Sequence, residues 1–243
     1  MGTEDLETTI KANLYRVAER LENAAASVNR DPLEIRLVVV TKGHPIAVVK
    51  AALQAGARTL GENYVDEAEE KILALSEEHG VEWQMIGHIQ GRKARRVCEL
   101  FHYVHSLDSL RLGIRLDRFA GELKRRMPVL LECNTSGEET KSGFAAWQED
   151  QWDSLADQAQ QICELPNLEL RGLMTMAPYF DDPEQARPCF VRLSRLRDFL
   201  SRQLPQASLE ELSMGMSGDF EVAVQEGATI VRVGQAILGP RTG

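Results

Sequence analysis

"RLVVVTKGHPIAVVKAALQAGARTLGEN", residues 36–63, sets the pattern of the whole chain. The β-branched apolar run at 36–42 reads as a buried strand. Gly43 and Pro45 break it. An Ala- and Leu-rich stretch of helical period follows at 46–55, and a second strand-like run at 58–63. The same alternation continues outward. Further strand-like runs lie at 82–87, 103–108, 128–134, 170–176, 209–215 and 229–235, which makes eight. Helical segments lie between them at 65–79, 91–100, 109–125, 144–164, 183–203 and 217–226. A longer helix, about 4–29, precedes the first strand, with Leu6, Ile10, Leu14, Val17 and Leu21 on one stripe.

Eight strands, each leading into a helix, predict an α/β chain folded as a single (β/α)8 TIM barrel with an extra N-terminal helix. The 243 residues match the usual size of about 250 for such a barrel, and the expected domain is the whole of 1–243. Only "AILGPRTG" follows the last strand, so its helix is short. An open doubly wound sheet is the alternative. Low-complexity segments, long linkers and tandem repeats are absent.

The bulk composition excludes several functions. Hydrophobic residues are 43% and charged residues 27%, as in a soluble globular protein. With 28 basic against 37 acidic residues the net charge is −9, which argues against a general binder of nucleic acid or of anionic membranes. The basic cluster "GRKARR" at 91–96 runs against that trend and reads as a solvated helix face. Cys98, Cys133, Cys163 and Cys189 are widely spaced, with no CxxC pair or Cys/His metal spacing. Reduced thiols and a cytoplasmic location are expected. "MGTEDLETTI" carries no signal-peptide pattern, and Leu6 stands where N-myristoylation at Gly2 needs Ser or Thr. No apolar run approaches membrane-spanning length.

Barrel sites form at the C-terminal ends of the strands. Those ends carry Lys42, "GEN" 61–63, "GH" 87–88, "HSLD" 105–108, "ECN" 132–134, Met176, "SMGMS" 213–217 and "RVGQ" 232–235. Side chains alternate along a strand, so Val38, Val40 and Lys42 share one face and Leu37, Val39 and Thr41 the other. If Val38 and Val40 fill the interior, Lys42 points into the mouth. A partly desolvated lysine favours the neutral amine, a nucleophile toward carbonyls. The other reading is a lysine snorkelling to solvent or paired with an acid. The last two strands end in "SMGMSGD" and "VGQAILG", where such barrels usually bind phosphate. Gly215 and Gly218 allow close backbone approach, Ser213 and Ser217 supply hydroxyls, and Ser217 suits an N-cap. Gly234 and Gln235 open the last helix, whose free N–H groups attract anions. Two ordinary βα turns are the other reading. Arg232 shares a face with Ile230 and Gly234, so it needs a buried partner, either an acid such as Glu132 or a ring nitrogen. A Schiff-base lysine, a phosphate cradle and an arginine near a ring together describe a pyridoxal 5′-phosphate (PLP) site.

Six blocks carry a resemblance: "VVVTK" 38–42, "GENYVDEAEEK" 61–71, "EWQMIGHIQGRK" 82–93, "NTSGEETKSGF" 134–144, "RGLMTM" 171–176 and "LSMGMSGDFEVAVQEGATIVRVGQAILG" 212–239. In order and spacing the chain resembles the YggS/PROSC pyridoxal phosphate homeostasis proteins from about residue 30 onward. The resemblance implies a barrel like the N-terminal domain of alanine racemase, fold type III among PLP proteins. It implies that Lys42 holds the cofactor as a Schiff base. Ser213, Met214 and Ser217 would line the phosphate with Gly234 and Gln235, Arg232 would face the pyridine nitrogen, and Asn63 and Ile86 would border the ring. Gln235 departs from the Thr or Ser common at that position in the family, which leaves the main-chain N–H as the phosphate contact there. Lys141 and Gly143 match the family's "KSG" block and read as an exposed turn.

Related racemases and decarboxylases add a β-rich domain after the barrel, and in racemases it supplies a tyrosine base opposite the lysine. The sequence stops at Gly243, so the expectation is a non-catalytic PLP carrier or buffer in vitamin B6 homeostasis. Arginine keeps its proton, so it disfavours protonation of the ring nitrogen and weakens the ring as an electron sink. His105 and Cys133 are the other strand-end candidates for a second base. The alternatives are a PLP-dependent racemase or related enzyme acting on small amino acids, and a Schiff-base aldolase without PLP. The expected partners are PLP and apo PLP-dependent enzymes, with no nucleic acid and no membrane, for a monomeric cytoplasmic protein.

Overall fold

The computed structural model of the protein describes residues 3–241, so Gly2 lies outside the described residues. Eight parallel strands close into a barrel: β1 (Arg36–Val40), β2 (Thr59–Glu62), β3 (Glu82–Met85), β4 (Tyr103–Leu107), β5 (Met127–Asn134), β7 (Leu168–Met174), β8 (Glu211–Ser213) and β9 (Ile230–Val233). Neighbours pair in the order β4-β3-β2-β1-β9-β8-β7-β5, and β4 pairs with β5 to complete the ring. Closure removes the unpaired edges that an open doubly wound sheet would leave.

The helices follow the alternation: α1 (Thr3–Ser27), α2 (Ile46–Gln54), α3 (Val65–Ala74), α4 (Ala94–Leu100), α5 (Leu110–Glu122), α6 (Trp152–Cys163), α7 (Arg187–Gln203), α8 (Phe220–Gln225) and α9 (Gln235–Leu238). Ile10, Val17 and Leu21 of α1 are buried, with Leu6 and Leu14 packed against them. This stripe lays α1 on α2, α8 and α9. Asn13 Nδ2 donates to the Ile237 carbonyl at 2.7 Å, which ties α1 to the short helix at the end of β9.

Three boundaries differ from the sequence pattern. The segment 144–151 is not the start of a helix: Phe144–Ala145 forms a two-residue strand, β6, beside Cys133 and Asn134 of β5. Gly143, at φ +108°, makes the turn into it. The Gln148 N–H then bonds Gln151 Oε1 at 3.1 Å, and α6 starts only at Trp152. Likewise α3 ends at Ala74 rather than 79, because the polar run Ser76–Glu77–Glu78 has no apolar face to bury. The third, α8, begins at Phe220, after Asp219.

The inside and outside of the barrel form two apolar layers. Val38, Tyr103, Leu130, Met174 and Ile230 pack together inside. Val39, Leu60, Val104, Val129 and Leu173 face the helices. Between β5 and β7 the register shifts by one residue, with Val129 opposite Leu170 and Leu130 opposite Gly172. Arg171 is the extra residue of this bulge. Among the described residues no helix is long and apolar enough to cross a membrane, and no cluster of His, Cys, Asp and Glu could hold a metal.

Gly172 sits where a Cβ would come within 1.8 Å of the Glu211 carbonyl oxygen. Gly172→Ala is therefore expected to push β8 off β7 and cost about 1–3 kcal/mol in urea unfolding, in the range of overpacked core sites. An unchanged midpoint would show that the bulge relaxes freely.

Candidate cofactor site at the C-terminal mouth of the barrel

A cavity of about 550 Å³ opens at the C-terminal ends of the strands. Its wall brings together Lys42, Asn63, Ile86, Ser217, Arg232, Gly234 and Gln235 from five separate segments. The alternation on β1 makes this possible. Val38 is buried inside the barrel, Val40 lines the cavity, and Lys42 stands above it. Gly61 has no side chain because Val38 and Ile86 fill the space where a Cβ would lie, at 2.9 and 3.0 Å. Gly87 admits Asn63, whose carbonyl oxygen is 2.4 Å from the position of a Gly87 Cβ.

Lys42 is half-buried, and its ammonium has no ion-pair partner among the described residues. Burial lowers its pKa first, and Arg241 and Arg232 lower it further against the pull of Glu62 and Glu67. The amine is thus neither snorkelling freely nor paired with an acid.

Arg232 lies under the cavity floor and is 3% exposed. Nη1 donates to Ser213 Oγ at 2.6 Å and Nη2 to the Thr175 carbonyl at 2.9 Å. No ion pair joins it to Glu132 among the described residues. Burial pushes its pKa down to about 10, so it stays cationic at neutral pH. Ser213 Oγ also contacts His105 Nδ1 at 2.9 Å. Ser213 thus links the guanidinium of Arg232 to the imidazole of His105. The His105 Nε2 is buried without a partner, and burial with Arg232 nearby keeps the imidazole neutral.

Two of the expected residues leave the cavity wall. Ser213 is fully buried beneath Arg232, and Met214 is fully buried in the core with its N–H bonded to the Ile230 carbonyl. The pleat at the end of β8 turns Ser213 into the barrel interior beneath the mouth and Met214 to the helix side. Ser217 stays on the wall but does not cap α8, whose N-cap is Asp219. Instead Ser217 Oγ accepts from the Ala236 N–H at 3.3 Å, joining the loop after β8 to α9. The N–H groups of Gly218 and Gly234 have no protein acceptor among the described residues. His105 and Cys133 are both inaccessible: neither lines the cavity, and burial pushes the Cys133 thiol up.

Sequence reasoning missed several wall residues. Asp219 lines the cavity, with Oδ1 accepting from the Met216 N–H at 2.6 Å. Its side chain reaches back three residues to close the loop after β8, a contact that the "SGD" pattern does not announce. Arg241 comes from beyond α9, and its Cδ lies 2.9 Å from where a Gly43 Cβ would be. Nothing in the local pattern announces it. Pro178, Tyr179 and Phe180, in the loop after β7, form another side. The 91–96 cluster is a paired helix face: Lys93 meets Asp66, Arg95 meets Glu99 and Glu122, and Arg96 meets Glu69 and Glu99.

A second cavity of about 470 Å³ shares Asn63 and Met176 with the first and includes His88, Glu132 and Lys141. The "KSG" turn is no free surface turn. Lys141 Nζ donates to the Met176 carbonyl at 2.8 Å, and Gly143 lies against the Glu132 main chain. Glu132 is 5% exposed and its Oε2 has no partner. Burial, and then Asp108, raise its pKa to about 7.

The model of the alanine racemase N-terminal domain family matches residues 10–242. The pyridoxal phosphate homeostasis protein of Vibrio cholerae is 37% identical over 236 residues, covering 96% of this chain and 97% of that one. The protein of the same name from Pseudomonas aeruginosa is 39% identical over 234 residues, covering 96% of each. PipY of Synechococcus elongatus, solved with PLP bound, superposes with a TM-score of 0.79 at 36% identity, covering 92% of this chain and 100% of that one. An alanine racemase of Clostridium difficile shares the fold, with a TM-score of 0.69 at 14% identity over 95% of this chain and 56% of its own.

Glu132 makes the stability depend on pH. Its pKa is about 7 in the folded protein against 4.5 for a free glutamate side chain. The contribution is complete below pH 4.5 and is lost as pH rises through 7, by up to about 3 kcal/mol. Glu132→Gln is expected to flatten this fall between pH 5 and pH 8 in urea titrations, relative to the parent protein. An identical slope in the variant would assign it to other groups.

Proposed function

The chain belongs to the alanine racemase N-terminal domain family and, within it, to the pyridoxal phosphate homeostasis proteins, and from that membership we propose that it binds PLP at Lys42 and serves as a cofactor carrier rather than a catalyst. One observation carries the reading: a half-buried, partnerless amine with a lowered pKa shares one cavity with a buried guanidinium and a glycine-lined rim.

The residues fit the cofactor. Three cationic groups, Lys42, Arg232 and Arg241, meet in the cavity, which suits an anionic ligand. A side chain at Gly234 would enter space 3.1 Å from the Val40 carbonyl, and the free N–H groups of Gly218 and Gly234 suit phosphate oxygens. PLP would supply an aldehyde for amine condensation and an electron-withdrawing ring. Lys42 would hold it covalently through Nζ as a Schiff base. Arg232, fixed by Ser213 and the Thr175 carbonyl, would face the ring with guanidinium N–H groups still unused, while keeping its charge. Asn63 and Ile86 would border the ring, and Gly218, Gly234 and the Gln235 main chain would hold the phosphate beside Ser217.

Two observations favour a carrier. Relatives that share over a third of their residues with this chain carry the homeostasis name. Among the described residues the cavity wall also offers no rigid second base beside Lys42. Asp219 is committed to the Met216 N–H, and Tyr179 is 86% exposed. Racemisation needs a proton acceptor on each face, and loss of one typically costs 10²–10⁴-fold in rate. As a carrier the protein would act in the cytoplasm as a monomer and pass PLP to apo PLP-dependent enzymes.

A visible absorption band in the purified protein, trapped by borohydride on Lys42, tests the binding. Lys42→Ala should lose both band and adduct with its circular dichroism unchanged. An adduct on another lysine would overturn the assignment, and no band at all would favour an aldolase without PLP. Gly234→Val should weaken PLP binding and Gln235→Ala should leave it nearly unchanged. The reverse pattern would move the phosphate contact to the Gln235 side chain.

Incubation with alanine or serine in deuterated water separates carrier from enzyme. Little α-proton exchange is expected, while an added apo-enzyme should become active. Exchange at about 1–10³ per second would make the protein an enzyme.

A further inference from the structure

Directly behind Lys42 lies the one fully buried lysine among the described residues, Lys71 on α3, 3% exposed. Its Nζ donates to three oxygens: the Thr41 carbonyl at 2.7 Å, Glu62 Oε1 at 2.7 Å and Glu67 Oε1 at 2.6 Å. Glu62 Oε1 also accepts from Thr41 Oγ1 at 2.6 Å, and Glu67 Oε1 from the Gly43 N–H at 2.6 Å. The two residues that flank Lys42 are therefore both clamped, one by its carbonyl and hydroxyl, the other by its amide. Gly43 takes φ +72° between them.

Burying an ammonium and a carboxylate is expensive, and apolar residues of similar size often hold a fold at least as well. The knot is thus poorly explained by stability alone. Its location explains it better, because Thr41 faces the helices while Lys42 faces the cavity. Whatever grips Thr41 and Gly43 from outside sets the direction in which the Lys42 side chain leaves the main chain inside.

We propose that Lys71 is a positioning residue for Lys42, acting through the main chain of residues 41–43 that it holds, with Glu62 and Glu67, from the helix side of the barrel. The proposal rests on Lys42 being the cofactor lysine. It adds a group that touches neither cofactor nor cavity.

The test separates aim from stability. Lys71→Met strands Glu62 and should destabilise the protein. Lys71→Met combined with Glu62→Leu removes the buried charge pair and should regain much of that stability in urea unfolding. In the double variant Thr41 remains released, and Gly43 is held only by a Glu67 that Lys71 no longer pins. Borohydride-trapped capture of PLP at Lys42 should stay slower by tenfold or more, on the order expected when a reacting group is misplaced by a fraction of an ångström. Gly43 amide exchange should be faster than in the parent. Capture that recovers along with stability would overturn the proposal.

If neither variant folds, Glu67→Ala tests the same point from the partly exposed rim. It removes the acceptor of the Gly43 N–H, and should speed exchange of that amide and slow capture. Capture at the parent rate with Gly43 released would overturn the proposal. Should the parent protein take up no PLP, that result counts against Lys42 as cofactor lysine. Acetic anhydride labelling of Lys42 then replaces capture as the readout, and labelling unchanged by loss of the clamp would overturn the positioning role.

Discussion

The site depends on the period-two alternation of β1. Val38 enters the barrel interior, Val39 faces the helices, Val40 reaches the mouth, Thr41 turns outward and Lys42 inward. A slip of one residue would exchange these sets. Lysine would then meet Glu62 and Lys71 on the helix side, and threonine would face the cavity. The pairing of Val38 with Arg232 and of Val40 with Gly61 holds that register from both neighbouring strands. The two cationic residues of the cavity that sit on adjacent strands are thereby placed by the backbone ladder rather than by contact with each other.

Charge in the mouth works against the charge of the whole chain. The protein carries −9, yet Lys42, Arg232 and Arg241 meet in one cavity. Among the described residues neither Lys42 nor Arg232 forms an ion pair with a carboxylate. Nearby acids are spent elsewhere: Glu62 and Glu67 on Lys71, Asp219 on the Met216 N–H. Desolvation and the two arginines keep the lysine amine available, and the buried arginine stays charged because its pKa remains near 10. Holding a reactive amine and a fixed cation together requires that their counter-charges be engaged on the outer face of the barrel or in loop turns.

Much of the site was legible as a pattern of strand ends. Lys42, Asn63, Ile86, Arg232, Gly234 and Gln235 stand at the C-terminal ends of strands, and closure of the barrel brings them to one cavity. Ser213 and Met214 lie off the cavity wall because a residue at a strand end is turned in or out by the last pleat, and β8 ends at Ser213. The run 144–151 departs from its pattern for a different reason. Its composition suits a helix, but the turn at Gly143 and pairing with Cys133 and Asn134 outweigh weak local preference.

The sequence by itself determined the alternation of strand and helix, the barrel that this implies, the inward lysine and the family to which the blocks at 38–42, 61–71 and 212–239 belong. These are local or periodic properties, carried by residues close together in the chain. Only the tertiary structure decided that Arg241 reaches Lys42 from beyond the last helix, that Arg232 bonds Ser213 and the Thr175 carbonyl instead of Glu132, and that Lys71 grips the turn on either side of Lys42. Each of these joins elements that no periodicity connects. Their partners are chosen by which side chains remain unpaired once the barrel has closed and water has left its interior.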